Sequence, residues 1–349
     1  MKARKAALVQ LGRVLTAMGE AAPWPGHGLG TTEQEYMTLD ALVRGAVRHN
    51  GWATADNVRH AMRAWGGALV PDAVDAWLAS YADRPEADRS PRTVGLVLAG
   101  NVPLVGLHDV LCTWLSGHRA VVKCSSQEPD LIPALVHLLD GLLPGTADQI
   151  RFAQGPMGEV DAVIATGSDN TARYFEHYFG HLPRIVRKSR VSVAVLDGTE
   201  TEAELTALGD DIFRYFGLGC RNVAKLYLPT GFDLDRVFGA LLPWAHVAQH
   251  NKYGNNYDYT RAIWLLDRIP FLENGFVLMK EDTALASPMA TVFYERYTDA
   301  ADVQRTLEEH AQKIQCVVGH GHVPFGKAQS PGLNDYADGV DTLEFLLGL

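Results

Sequence analysis

From Arg92 onward, short apolar runs alternate with longer stretches whose apolar residues recur every three or four positions. "TVGLVLAG" is apolar throughout and ends in glycine, which predicts a buried strand. "NVPLVGLHDVLCTWLSG" then reads as a turn and a helix closed by Gly117. "HRAVVKCSS" predicts a second strand, "DLIPALVHLLDGL" a second helix, "DAVIATGS" a third strand and "DNTARYFEHYFG" a third helix. Strand and helix at such short spacing imply an α/β fold with a parallel sheet covered by helices. A second α/β region follows: "RVSVAVLDG" as a strand, "TEAELTALGDDIFRYF" as a helix and "VAKLYLP" as a strand. "DLDRVFGALLPWAHVA", "RAIWLLD" and "ATVFYERY" continue the alternation.

The first ninety or so residues differ. They carry helical patterns punctuated by "PWPGHGLGTT" and "AWGGALVPD". Trp24, Trp52, Trp65 and Trp77 all fall here, and they either pack a helical layer or line a pocket for an apolar substrate. The opening "MKARKAALVQLGRVLTAMGEAAP" has the basic-then-apolar order of a signal peptide. Gln10, Gly12 and Arg13 break its apolar run, so an amphipathic helix is the expectation. No run of about 18 apolar residues occurs, so no transmembrane helix is predicted.

Length and composition narrow the picture. At 349 residues the chain exceeds one ordinary core, and two domains are expected. Hydrophobic residues at 47% and charged residues at 21% suit a soluble globular protein with a large core. A net charge of -10 argues against a nucleic-acid scaffold. The four cysteines, Cys112, Cys124, Cys220 and Cys316, lie far apart with no CxxC pair. Free thiols in a reducing, cytoplasmic compartment are expected, with at most one of them catalytic.

In parallel sheets, ligands bind at the carboxyl ends of strands, so the loops there carry the candidate chemistry. "TGSDN", with Thr166, Gly167 and Ser168, joins a strand to a helix start; it suits a phosphate, or is simply a cap with Ser168 or Asp169. "VVKCSS" ends a strand with Lys123, Ser125 and Ser126, which suits a ribose or phosphate, or leaves a solvated charge. In "GNVP", Asn101 stands just before Val-Pro and is restricted by the proline; its amide either donates to an oxyanion or makes an Asx-turn.

Cys220 sits in "GLGCRN" at a glycine-broken turn before an apolar run. Gly217 and Gly219 permit close backbone approach, and Arg221 favours a thiolate. A thiolate captures an acyl group as a thioester, which a hydride reduces to an aldehyde; the alternative is a buried structural thiol. Metal binding is not expected: His246 and His250 lack an accompanying glutamate, and "GHGH" at 319–322 lacks a cysteine or carboxylate cluster in the sequence beside it. GxGxxG and GxSxG are both absent.

The order of these loops carries more than any one of them. An asparagine-proline loop, a strand-end lysine, "TGS" before a helix and a glycine-flanked cysteine before a strand resemble the aldehyde dehydrogenase superfamily. "PFGKAQSPG" looks like a late segment of that superfamily. "GNVPLVGLHDVL", "NKYGNNYDY" and "FGKAQSPGLNDYADGVDTLEFL" resemble the acyl-CoA reductase family, which includes the reductase subunit of the bacterial bioluminescence fatty-acid reductase.

That resemblance implies an aldehyde-dehydrogenase-like α/β fold: an N-terminal helical segment (1–90), a Rossmann-type nicotinamide domain (91–190), a catalytic α/β domain with Cys220 (191–326) and a C-terminal segment (327–349) returning to the body or to an oligomer interface. It implies NADPH-dependent reduction of an acyl-CoA or acyl-protein thioester to the aldehyde. By position Cys220 matches the nucleophile and Asn101 the side-chain half of the oxyanion hole. Lys123, Ser125 and Ser126 match the adenosine ribose site, and Thr166, Gly167 and Ser168 the loop beneath the pyrophosphate. The implied partner is an acyl-CoA, acyl-carrier or acyl-synthetase donor, with no nucleic acid and no stable membrane insertion; a homo-oligomer is compatible with the C-terminal segment.

Two departures stand out. Aldehyde-oxidising members carry a general-base glutamate where this chain has "IVRKSRVSVAVL", which holds no carboxylate. The glutamate that holds the nicotinamide ribose in other members is here Ala284. The first loss suits an enzyme that does not hydrolyse its acyl-enzyme; the second leaves nicotinamide positioning unexplained. Two other readings fit the same loops: a cysteine acyltransferase that needs no nicotinamide, and a catalytically inactive scaffold subunit of an acyl-processing complex.

Overall fold

A computed structural model describes residues 2–82, 90–167 and 169–349, with the backbone alone at Asp169. The chain divides into two compact units, Met1–Lys188 with Ser330–Leu349, and Ser189–Gln329.

The first unit opens with four helices: α1 (Lys2–Gly19), α2 (Glu33–Gly45), α3 (Ala55–Ala68) and α4 (Pro71–Ala79). Their starts are written locally. Thr32 and Glu35 form a capping box on α2, and Thr54 caps α3. Helix α1 buries Leu8, Leu11, Val14, Leu15 and Met18, a helical stripe. Helices α1 and α3 approach so closely that a Cβ on Gly66 would fall 2.2 Å from Thr16 Oγ1. Trp77 is wholly buried in this layer, while Trp24, Trp52 and Trp65 are half-buried.

The sheet of this unit contains β1 (Thr93–Val97), β2 (Arg119–Lys123), β3 (Ile150–Phe152), β4 (Ala162–Thr166) and β5 (Arg184–Arg187). All pair in parallel, in the order β3-β2-β1-β4-β5. Helices α5 (Leu107–Ser116), α6 (Leu131–Leu142) and α7 (Asp169–Tyr178) connect them. Gly117 closes α5 at φ 86°, a left-handed position where glycine is unstrained. Strand order runs outward from β1 in both directions, so the switch point lies between β1 and β4.

Two of these strands, β3 and β5, are not foreseen by the hydrophobic pattern. The first is only three residues long. The second contains Arg184 and Arg187. Arg187 is buried, paired with the buried Asp109 of α5 and donating 2.8 Å to Thr342 Oγ1. Thr342 belongs to a terminal helix (Thr342–Leu347) that packs on α5. The segment leading to it is also tied in: Trp77 donates 2.7 Å to Tyr336, and the His108 ring meets the Leu333 carbonyl at 3.1 Å.

The second unit holds β6 (Val191–Val195), α8 (Glu202–Phe213), β7 (Val223–Pro229), α9 (Leu234–Ala240), α10 (Asn251–Leu266), β8 (Leu272–Glu273), β9 (Leu278–Glu281), β10 (Thr291–Tyr297), α11 (Ala300–Glu309) and β11 (Ile314–Gly319). The terminal helix is therefore α12. The sheet order is β11-β6-β7-β10-β9-β8, parallel except for the β8–β9 pair. "RAIWLLD" is the last part of α10 and not a separate element of the alternation. No helix among the described residues is long and apolar enough to cross a membrane.

Candidate active site

In the first unit, three loops meet at the carboxyl edge of the parallel sheet. Val97 of β1 lies in register with Lys123 of β2, and Ala165 of β4 with Val97. Asn101 follows β1, Lys123 ends β2 and Thr166 ends β4, so the topology sets all three side by side. Asn101 and Lys123 are exposed. Ser125 is half-buried, and its hydroxyl accepts from the Gln127 N–H at 3.2 Å; Ser126 is exposed. Gly167 donates 3.3 Å to the Arg187 carbonyl, and a Cβ there would press on Thr171 at 3.0 Å. Ser168 lies outside the described residues.

The β1 and β2 loops interlock. A Cβ on Gly100 would come within 2.7 Å of the Ser125 side chain. Asn50, buried in the helical layer, donates 3.0 Å to the Gly100 carbonyl. Glu128 accepts from the Leu104 N–H at 2.6 Å. Glu128 is buried, and burial pushes its carboxyl up to about 8. A cavity lies against these loops, lined by Gly100, Pro103, Gln127 and Glu128, and by Arg48 and His49 of the helical layer.

In the second unit, Cys220 lies on the turn that leads into β7, half-buried. The backbone reverses sharply ahead of it. Tyr215 (φ 54°), Phe216 (φ 58°) and Gly217 (φ 78°) are consecutive left-handed residues. Only the glycine adopts this without strain, and each of the others costs roughly 1–2 kcal/mol. Phe216 repays part of that by burial, its ring 4.3 Å from the His250 ring.

Asn222 supplies the rest. Its amide donates to the Asp211, Ile212 and Arg214 carbonyls at 3.1, 3.1 and 2.8 Å, closing the end of α8. Its Oδ1 accepts from the Gly219 N–H at 2.8 Å. From the other side, the Ser192 hydroxyl of β6 donates 3.0 Å to the Cys220 carbonyl. The thiol-bearing turn is thus held by the side chain of Asn222, just before β7, and by that of Ser192 on β6.

A second clamp joins this turn to the "PFGKAQSPG" loop. The buried Asp211 accepts from the Gly326 and Ala328 N–H groups at 2.6 and 2.8 Å. Arg221 donates from Nε to the Ala328 carbonyl, so this donor engages the loop. Burial drives the Asp211 carboxyl up to about 7.

His246 and His320 find their partners away from these groups. His246 meets the Pro243 carbonyl at 3.0 Å and stacks on Trp244. His320 spends one ring nitrogen on Asp197 at 2.8 Å and the other on Glu204 at 3.0 Å, which raises its pKa to about 9. All four cysteines are free thiols. Cys112 is wholly buried, and burial drives its thiol well above the ordinary range; Cys124 is pushed up to about 11 by burial and by Glu128.

Asn50, Glu128, Asp211 and Asn222 escape sequence reasoning. Asn222 stands two residues after the cysteine, where a polar side chain next to a glycine turn signals a cap. Asp211 shares the buried face of α8 with Leu208 and Ile212, an acidic residue on an apolar stripe. Asn50 and Glu128 carry no such local signal, because their partners are distant in sequence.

This fold is that of the aldehyde dehydrogenases. Over 90% of this chain and 71% of the other, it superposes on the indole-3-acetaldehyde dehydrogenase AldA of P. syringae (TM-score 0.58, 16% identity), solved with NAD+ and IAA. Over 89% of this chain and 72% of the other, it superposes on a Mycobacterium tuberculosis aldehyde dehydrogenase complexed with NAD+ (TM-score 0.56, 14% identity). Within that class the resemblance is to the acyl-CoA reductases: the acyl-CoA reductase (LuxC) family matches residues 70–236. The long-chain acyl-protein thioester reductase 2 of Photobacterium leiognathi is 26% identical over 217 residues, covering 56% of this chain and 44% of that protein. The match therefore spans less than half of that relative's length.

Proposed function

We propose that the protein reduces an activated fatty acyl thioester to the aldehyde with NADPH, through an acyl group carried on Cys220. The observation that carries this reading is the content of the family match. Residues 70–236 include the Asn101, Lys123–Ser126 and Thr166–Gly167 loops together with the Cys220 turn.

The Cys220 thiolate attacks the thioester carbonyl carbon. The carbon–sulfur bond to the donor then breaks, the donor thiol leaves with a proton, and the acyl group remains on Cys220 as a new thioester. Asn101 donates its side-chain N–H to the oxygen as charge develops, a contribution of about 3–4 kcal/mol for a donor of this kind. NADPH held by the Lys123–Ser126 and Thr166–Gly167 loops would supply the hydride for reduction of the acyl carbon. The hemithioacetal oxyanion on Cys220 then re-forms a carbonyl as its carbon–sulfur bond breaks, releasing the aldehyde and restoring the thiolate. "IVRKSRVSVAVL" offers no carboxylate to activate water, so hydrolysis to free acid is slow.

The donor set at the β2 end fits the nucleotide. Lys123 with Ser125 and Ser126 offers a cation and two hydroxyls without a carboxylate. A 2′-phosphate is attracted by the first and hydrogen-bonded by the others, where an acidic side chain would repel it. Thr166 and Gly167 lie beside the switch point, where a pyrophosphate would rest.

Anaerobic incubation with acyl-CoAs of several chain lengths tests the reading, with absorbance at 340 nm, aldehyde trapping and intact-protein mass as readouts. Without nicotinamide, a stable acyl adduct on Cys220 is expected; with NADPH, it discharges as aldehyde. Free acid released as fast as aldehyde, or an adduct on Cys112, Cys124 or Cys316, would overturn it. An adduct transferred to a second nucleophile without aldehyde would favour the acyltransferase.

A further inference from the structure

The loop bearing Asn101 is pinned at two points. Before Asn101, the Gly100 carbonyl is held by Asn50 at 3.0 Å. After it, Leu104 takes a left-handed backbone (φ 59°), costly for a leucine, and its N–H donates to Glu128 Oε1 at 2.6 Å. Glu128 belongs to the other loop. It follows Ser126 by two residues, and its own N–H donates 3.1 Å to the Ser125 carbonyl. One carboxyl therefore bonds the strained residue of the β1 loop while anchored to the backbone of the β2 loop.

Nothing in the reaction uses Glu128 directly, yet it is 7% exposed, and its Oε2 has no hydrogen-bond partner. A buried acid in such a place costs stability unless it does something for its neighbours. We propose that Glu128 is a positioning residue for the reaction: through the Leu104 N–H it holds the Asn101 loop in register with the loop carrying Ser125 and Ser126. This rests on the reading of Asn101 as the oxyanion donor.

The surroundings make the device sensitive to pH. Asp130 and the Cys124 thiol stand near Glu128 on its own loop, and Arg48 and His49 of the helical layer line the same cavity. His49 meets Asp130 at 3.0 Å. From the β1 loop, Leu104 brings its N–H to the carboxyl. At neutral pH Glu128 is mostly protonated, since burial raises it to about 8. Ionisation above that strengthens the Leu104 bond itself, which pulls the pKa down, but leaves Oε2 charged, buried and without a partner, so the two loops must part to let water reach it. Turnover should fall along that limb.

The test compares Glu128→Leu, Glu128→Gln, Asn101→Ala and the Asn101→Ala/Glu128→Leu double variant in acyl-CoA reduction. Glu128→Leu should lower kcat about tenfold while KM for NADPH moves less than about threefold. In the Asn101→Ala background the same change should cost less than about twofold, because the group it acts through is gone. Glu128→Gln keeps an acceptor for Leu104 and cannot ionise. It should stay within about threefold of wild type at pH 7 and lack the alkaline fall.

Equal losses from Glu128→Leu in both backgrounds would overturn the inference, as would a wild-type alkaline limb in Glu128→Gln. If Glu128→Leu does not fold, the Glu128→Gln pH profile decides. Asn101→Ala retaining more than about half of turnover sinks the oxyanion reading and this inference with it. A large Asn101→Ala defect beside an indifferent Glu128→Leu overturns this inference alone.

Discussion

In the first unit, the candidate residues stand at the carboxyl ends of β1, β2 and β4; in the second, Cys220 stands at the amino end of β7. The first arrangement follows from topology. Five parallel strands winding outward from β1 place the switch point between β1 and β4, the position where open parallel sheets bind ligands, and the loops at the carboxyl ends of those strands border it. The second owes nothing to strand order. It needs two left-handed aromatic residues, a glycine and the fourfold bonding of Asn222 to aim one turn. A site of the first kind tolerates loop changes that keep the sheet. A site of the second kind depends on single side chains.

The sharpest way to break that contrast is to remove one atom from the second site. Cys220→Ala should lower aldehyde formation by more than about a thousandfold and leave NADPH affinity near wild type, measured by turnover at 340 nm and by fluorescence titration. Residual turnover above a tenth of wild type would remove Cys220 from the chemistry.

Asn222→Leu follows. It strands three carbonyls and one N–H in a buried setting, at a cost of about 2–4 kcal/mol read by denaturant unfolding. Acylation of Cys220 should slow as well, because the turn loses its frame. A variant as stable as wild type would mean that the left-handed reversal holds itself.

On the first unit, Ser126→Glu should shift cofactor preference from NADPH toward NADH by about tenfold or more, with the melting temperature unchanged. Wild-type affinity tenfold tighter for NADH than for NADPH would contradict the assignment of this loop.

Asp211 gives an effect that shows only as a pH dependence of stability. Folded, its carboxyl is raised to about 7 from an ordinary 3.8. Between those values the folded state keeps a proton that the unfolded state has lost, so this group's contribution to stability falls as pH rises from about 4 to 7. Asp211→Asn removes that term. The difference in melting temperature between wild type and variant should therefore narrow from pH 5 to pH 8. A constant difference would show that Asp211 is ionised throughout.

Much of the fold was legible because burial on both faces forces near-continuous apolar strands, as in "TVGLV", "VSVAV" and "AVIAT". The edge strands were not. Strand β5 has an arginine at each end of two apolar residues, and its Arg187 is buried only because Asp109 and Thr342, distant in sequence, neutralise and bond it. The same limit applies to Lys225 in the middle of "VAKLYLP". It is wholly buried, satisfied by Glu295 and by the Thr283 carbonyl at 2.9 Å.

At the site, residue types and their order along the chain are local properties: an asparagine after one strand, a lysine after the next, a cysteine before a third. Periodicity and turn chemistry determine them, and they needed no coordinates. Which side chains hold those loops was decided only in three dimensions. Glu128 meets Leu104, Asp211 meets Gly326 and Ala328, and Ser192 meets the Cys220 carbonyl across sequence separations that no period records. Their hydrogen bonds replace water lost on burial, and which donor faces which acceptor is settled by the packing of whole elements, not by any segment alone.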